Sequence, residues 1–190
     1  SNLIDFAAFT NAAAGLTYLY SPSGGILSFN KNSNGSYTPW DDDTKASQVT
    51  LTAEGVNLLV TEVDGSQTVF SPSSTNSYRV SCARQGLTGR AVATEYNTSG
   101  LVTKVGYTGT GTCTNLQIGS QALTLTYTTS NNQTRLAKVT YSGFDKATNS
   151  TKTVDEVSYS YDSSGRLTLV TNLVNQSTTS YSYDSLKIGR

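Results

Sequence analysis

Two short stretches and a pair of cysteines hold the residue types that chemistry would need. Asp41-Asp42-Asp43, directly after Trp40, is the densest acidic cluster. Paired carboxylates can hold calcium, but an EF-hand loop needs a glycine and a distal glutamate at fixed offsets, and neither follows. The alternative is a solvated loop. Residues 106–113, GYTGTGTC, contain the glycine-rich run Thr-Gly-Thr-Gly-Thr. Such a loop cradles phosphate when a helix N-terminus follows it. Here a turn-rich Thr/Asn stretch follows, so the expectation is a flexible loop pinned by Cys113. Asp155-Glu156 reads as surface charge. The chain contains no histidine, which removes the Ser-His-Asp triad and histidine-containing metal sites. The remaining carboxylates are scattered, and no nucleophile–base pair is visible. The expectation is therefore a non-enzyme with no cofactor and no metal.

Cys82 and Cys113 are the only cysteines, the minimum for one disulfide. A Ser/Thr-rich, polar chain fits an oxidising, extracellular compartment. The other reading is two unrelated buried thiols; the expectation is that they are bonded. No Cys-x-x-Cys occurs, which argues against redox chemistry and a structural zinc. Trp40 and the 12 tyrosines offer a sugar-stacking platform or, in alternating strands, cross-strand packing. Asn-x-Ser/Thr sequons fall at Asn34, Asn97, Asn132, Asn149 and Asn175.

The elements that must position these residues are read from periodicity. Only 14% of the 190 residues are charged and the formal net charge is +0, so no clustered basic surface speaks for nucleic acid. Ser and Thr exceed a quarter of the chain, and with Tyr, Val and Gly they suit strands joined by tight turns. No apolar run approaches the roughly 20 residues of a membrane span, and no secretory signal is visible. Apolar and polar residues alternate in LTLTYT (123–128), KVTY (138–141), VSYSY (157–161) and LTLVT (167–171). Period two predicts strands with one buried face. Residues 48–63 and 67–70 read the same way. Only residues 4–15, IDFAAFTNAAAG, favour a helical turn or two.

The turns repeat. Asp162-Ser163-Ser164-Gly165 lies between Tyr161 and Leu167; Asn97-Thr98-Ser99-Gly100 follows Tyr96; Ser21-Pro22-Ser23-Gly24 follows Tyr20. Asp or Asn caps a type I turn, and glycine at the fourth place takes the left-handed conformation that closes the hairpin. Ser71-Pro72-Ser73-Ser74, after Phe70, reads as a degenerate copy. Asn34-Gly35 and Asp64-Gly65 read as tight two-residue hairpins. Residues 127–141 keep the Tyr and the Arg-Leu but predict a longer loop. Arg166 has two candidate partners, Asp162 in its own hairpin and Asp184 in the next copy.

YDSSGRLTLVTN (161–172) resembles the YD repeat, also called the RHS repeat: Tyr-Asp, two variable residues, Gly-Arg-Leu, then a strand ending Val-Thr. Tyr161, Asp162, Gly165, Arg166 and Leu167 carry the motif. YSYDS, with Tyr183 and Asp184, is similar to the opening of a further copy. YNTSGLVTKV (96–105) has Asn for Asp and lacks the Arg. Residues 24–40 and 58–72 resemble the divergent β segment found ahead of such repeats in bacterial wall-associated and RHS proteins. The resemblance implies an all-β fold of antiparallel hairpin repeats in a twisted, ribbon-like sheet, part of a shell that encloses a toxin or serves at cell surfaces. The chain is too short to close a shell, and it lacks the Asp-Pro self-cleavage motif and a toxin domain. It implies a divergent segment at 1–95 and hairpin repeats at 96–190, within a longer secreted or cell-surface protein. The implied partners are flanking repeats of the same polypeptide, an enclosed toxin domain or a surface glycan.

Overall fold

The computed structural model describes residues 7–11, 14–20, 25–114 and 116–184. The fold is all-β, an open antiparallel sheet of hairpins with one short helix among the described residues. The strands are β1 (Ala7–Asn11), β2 (Leu16–Tyr20), β3 (Ile26–Lys31), β4 (Tyr37–Pro39), then α1 (Asp42–Ser47), β5 (Thr50–Glu54), β6 (Asn57–Thr61), β7 (Gln67–Pro72), β8 (Ser77–Arg84), β9 (Ala91–Tyr96) and β10 (Val102–Thr108). Longer strands follow: β11 (Ile118–Ser130), β12 (Gln133–Asp145), β13 (Ser150–Tyr161), β14 (Leu167–Asn172) and β15 (Thr178–Ser180). Two compact units divide near Gly119 and Ser120, with residues 102–104 belonging to the second. The boundary expected between 95 and 96 falls inside β9, within the first unit.

In the first unit, β8 is the branching strand. One edge pairs along its length with β7. The other edge is shared: residues 77–79 pair with β1 and residues 82–84 pair with β9. Ala8, Leu19 and Phe29 from β1, β2 and β3 therefore pack in one buried cluster with Leu51, Leu58, Val60, Phe70 and Val80 from β5 to β8. Burying each large side chain contributes roughly 1.5 to 3 kcal/mol. A register shift between Val69 and Phe70 leaves both of these neighbours buried, one on each face of β7.

Residues 7–11 are a strand and not the helical turn that their alanines favour. Ala8 pairs with Leu19 on one side and Tyr78 on the other. A small residue between two strands wins over helix propensity, which is a weak prior. The rest of the 4–15 stretch up to Ala14, at 4–6 and 12–13, lies outside the described residues. The one helix among the described residues is α1, where no helix was expected.

The second unit is a meander, β11 to β15, each strand paired with the next. Register makes one face apolar, with rows Leu123–Tyr141–Val154 and Leu125–Val139–Val157. The opposite face carries rows Thr124–Thr140–Asp155 and Thr126–Lys138–Ser158. Thr140 and Lys138 both bond the Asp155 carboxylate. Among the described residues of this unit Ala122 alone is a buried hydrophobic. Its stability therefore depends on cross-strand pairs and on specific polar fastenings more than on a core.

Candidate functional site

Four turns share one hydrogen-bond pattern. The first residue's N–H donates to the carbonyl four on, and the fourth residue's N–H donates back to the first residue's carbonyl. They begin at Asn32, Glu62, Asn97 and Asp162, and their fourth residues are Gly35, Gly65, Gly100 and Gly165. Each of those glycines has φ between 76 and 84 degrees. This is a type I turn closed by a left-handed residue. Asn34-Gly35 and Asp64-Gly65 are thus the last half of the four-residue turn, not two-residue hairpins. Asn34 and Asp64 keep negative φ and spend their side-chain oxygens on the N–H groups of Ser36 and Ser66. The 127–141 loop is shortened where a longer one was expected: Asn131 and Asn132, both at positive φ, make a two-residue turn between longer strands. The degenerate copy at Ser71 is displaced. Ser71 and Pro72 still belong to β7, where Ser71 bonds Ser81, and the turn occupies residues 73–76. The Ser21 turn, with Gly24, lies outside the described residues; Tyr20 ends β2.

At Asp162 both carboxylate oxygens are engaged, Oδ1 by the Arg166 N–H at 2.9 Å and Oδ2 by Arg166 Nε at 2.8 Å. The Arg166 backbone bond, the largest cause, holds this carboxyl below the usual aspartate pKa. Asp41, Asp64, Asp145 and Asp155 are lowered by hydrogen bonds from Thr44, Ser66, Lys152 and Lys138 respectively. A carboxylate whose pKa falls on folding contributes stability that is complete above the unfolded value of about 3.9. That stability is lost as pH falls through the lower folded value. Thermal melts should therefore hold steady from neutral pH to about pH 4 and drop below it. Asp162→Asn should flatten the drop.

The repeat itself is fastened by tyrosines. Tyr161 Oη donates to the Leu136 carbonyl at 2.7 Å, and the Arg135 guanidinium lies 5.6 Å from its ring centre. Tyr183 Oη donates to the Leu167 carbonyl at 2.8 Å, under Arg166 at 4.8 Å. Tyr96 Oη donates to the Val80 carbonyl at 2.6 Å, under Arg79 at 4.1 Å. In all three cases the carbonyl of the apolar residue after an arginine accepts the hydroxyl of a later tyrosine, and Tyr96 and Tyr161 each directly precede a turn. Tyr127 makes the same bond to the Val102 carbonyl at 2.7 Å, where Leu101 stands in place of the arginine. Arg166 therefore pairs with Asp162 and stacks on Tyr183; among the described residues no ion pair joins it to Asp184. The sequence pattern marked Tyr96, Tyr127, Tyr161 and Tyr183 and the Arg135-Leu136 dipeptide, but it missed Arg79-Val80 and the role of these dipeptides as acceptors. The signal, for Tyr96, Tyr161 and Tyr183, was the Arg-apolar dipeptide upstream.

Gly165 sits beneath the Arg135 guanidinium, at φ 76 degrees. A Cβ there would collide with Arg135 and sit in a strained backbone. Gly165→Val should destabilise by roughly 1 to 3 kcal/mol, and Gly165→Asn by clearly less, because Asn tolerates the left-handed region. Chemical denaturation of both variants decides it; equal losses would contradict the turn's role.

The other candidates resolve differently. Asp41-Asp42-Asp43 is a helix start, neither a solvated loop nor a calcium loop. Asp41 caps α1 by accepting the Thr44 N–H at 2.7 Å, and Thr44 Oγ1 accepts the buried Ser28 N–H at 2.8 Å. Asp42 and Asp43 occupy the first turn, where negative charge suits the dipole. Among the described residues no cluster of His, Cys, Asp or Glu could hold a metal. Trp40, just before the cap, is 60% exposed. Cys82 and Cys113 are bonded, with Cα atoms 5.7 Å apart, so the Thr-Gly-Thr-Gly-Thr loop is crosslinked to β8. No helix of the described residues is long and apolar enough to cross a membrane. No protein-family model matches the chain, and no curated protein matches it.

Proposed function

We propose that this chain is a non-catalytic structural segment of a larger secreted or cell-surface bacterial protein, built of YD-type β-hairpin repeats. Its role is to form part of a shell or stalk that encloses or presents a toxin or effector. The observation that carries this reading is the tyrosine fastening. Tyr96 and Tyr161, each directly ahead of a turn, and Tyr183 reach back to the backbone carbonyl after an arginine earlier in the chain. Such a device fixes neighbouring hairpins in register and does nothing to a substrate. The absence of histidine from the sequence agrees with a non-catalytic role. The Cys82–Cys113 bond agrees with an oxidising compartment.

Protease shaving of intact cells that make the protein, followed by immunoblotting for this chain, tests the location. Loss of signal on shaving, or its presence in culture medium, is expected. Protection until the cells are lysed would overturn the surface assignment. A second reading is a carbohydrate- or cell-surface-binding module centred on Trp40, which the exposure of that ring favours. Quenching of Trp40 fluorescence by cell-wall glycans would support it.

A further inference from the structure

A cleft of about 480 Å³ opens in the first unit, away from the tyrosine fastenings and without Trp40. Its size lies within the range of small-molecule sites. Glu62, Asp64 and Gln67 line it from the β6–β7 hairpin, Arg84 and Arg90 from the two sides of the β8–β9 connection, and Tyr107 from β10. Among the described residues no ion pair joins these arginines to these carboxylates; the ion pairs lie elsewhere. Arg84, Arg90 and Glu62 therefore line one space without pairing with one another, while Ser66 engages both Asp64 oxygens. Tyr107 adds an aromatic ring that is 42% exposed, with Arg90 6.0 Å from its centre.

The walls are held in place. The Gly86 N–H donates to Ser66 Oγ at 3.1 Å, joining the two loops at the rim. A Cβ on Gly86 would overlap the backbone of Asp64, Gly65 and Ser66, so only glycine permits this approach. The disulfide ties β8, two residues before Arg84, to the loop that follows Tyr107.

We propose that this cleft binds a neutral sugar. A pyranose hydroxyl both donates and accepts, so it uses carboxylates and guanidinium or amide groups together, while its apolar ring face stacks on an aromatic. A purely anionic ligand would waste Glu62 and Asp64, and an apolar one would bury unpaired charges. Asp64 accepts the Ser66 N–H and hydroxyl, which lower its pKa, whereas a glycosidic general acid needs a raised one. This inference stands apart from the structural-repeat reading and fails or survives independently of it.

The test is a two-dimensional amide NMR titration of the intact chain with cellobiose and, separately, with N,N′-diacetylchitobiose and glucuronic acid. Saturable shifts at Gln67, Arg90 and Tyr107 with at least one neutral disaccharide are expected. Tyr107→Ala and Arg90→Gln should each weaken that binding on the order of tenfold. Tyr107→Trp, which keeps the ring, should retain binding, and Trp40→Ala should leave it unchanged. The proposal is overturned by no saturable shift below about 100 mM, a concentration at which binding is negligible. Shifts confined to Trp40, or binding of glucuronic acid alone, would overturn it equally.

Discussion

Replacing both cysteines, as Cys82→Ala with Cys113→Ala, should cost the first unit about 3 to 4 kcal/mol. The bond joins positions separated by 31 residues, and opening it returns that loop's conformational freedom to the unfolded chain. Cys82 is fully buried between Val69 on β7 and Ala93 on β9, so the alanine also leaves a small void. Urea denaturation of the double variant, followed by a probe in each unit, measures the loss. The second unit, which lacks cysteines, should keep its midpoint. A loss below about 1 kcal/mol would mean that residues 106–118 are held without the crosslink.

The second large effect is expected at Phe70. Its side chain is fully buried in the cluster, and it pairs with Leu58 on β6 and Val80 on β8. Phe70→Ala removes that packing and should cost about 3 to 5 kcal/mol. Phe70→Leu, which fills most of the volume, should cost about half as much. Thermal melts in parallel give the comparison. The corresponding change on the open meander, Leu123→Ala, should cost less than about 1.5 kcal/mol, because Leu123 is half exposed and has less to lose.

How far the sequence discloses this structure depends on the range over which each cause acts. Alternation is local, and it located β11 to β14 and the apolar face of each, although that face stays half exposed where the pattern predicted burial. The Asn97 and Asp162 turns were legible because a cap and a glycine three residues apart suffice to make them. The same locality misled at Ala7–Asn11, where alanines favour helix and pairing with two strands decides for β. It also misled at Asp41, whose cluster reads as a loop until Thr44 is seen bonding Ser28 on a neighbouring strand. The tyrosine acceptors lie 16 or 25 residues upstream of each ring. No local rule reaches that far, although the motif named half of each pair. The cleft is the extreme case, since its lining comes from four strands and two loops.

The central claim is that the hydroxyls of Tyr96, Tyr127 and Tyr161 fasten each hairpin to an earlier one, and a tyrosine-to-phenylalanine scan tests it most directly. Each substitution keeps the ring and deletes one bond to a half-buried carbonyl. Tyr96→Phe, Tyr127→Phe and Tyr161→Phe should each cost about 1 to 2 kcal/mol by chemical denaturation. Tyr141→Phe and Tyr159→Phe delete hydroxyls outside the ladder and should stay within about 0.5 kcal/mol of the parent. If the two groups give the same small losses, the hydroxyls are not what holds the repeats, and the structural reading of this chain loses its physical basis.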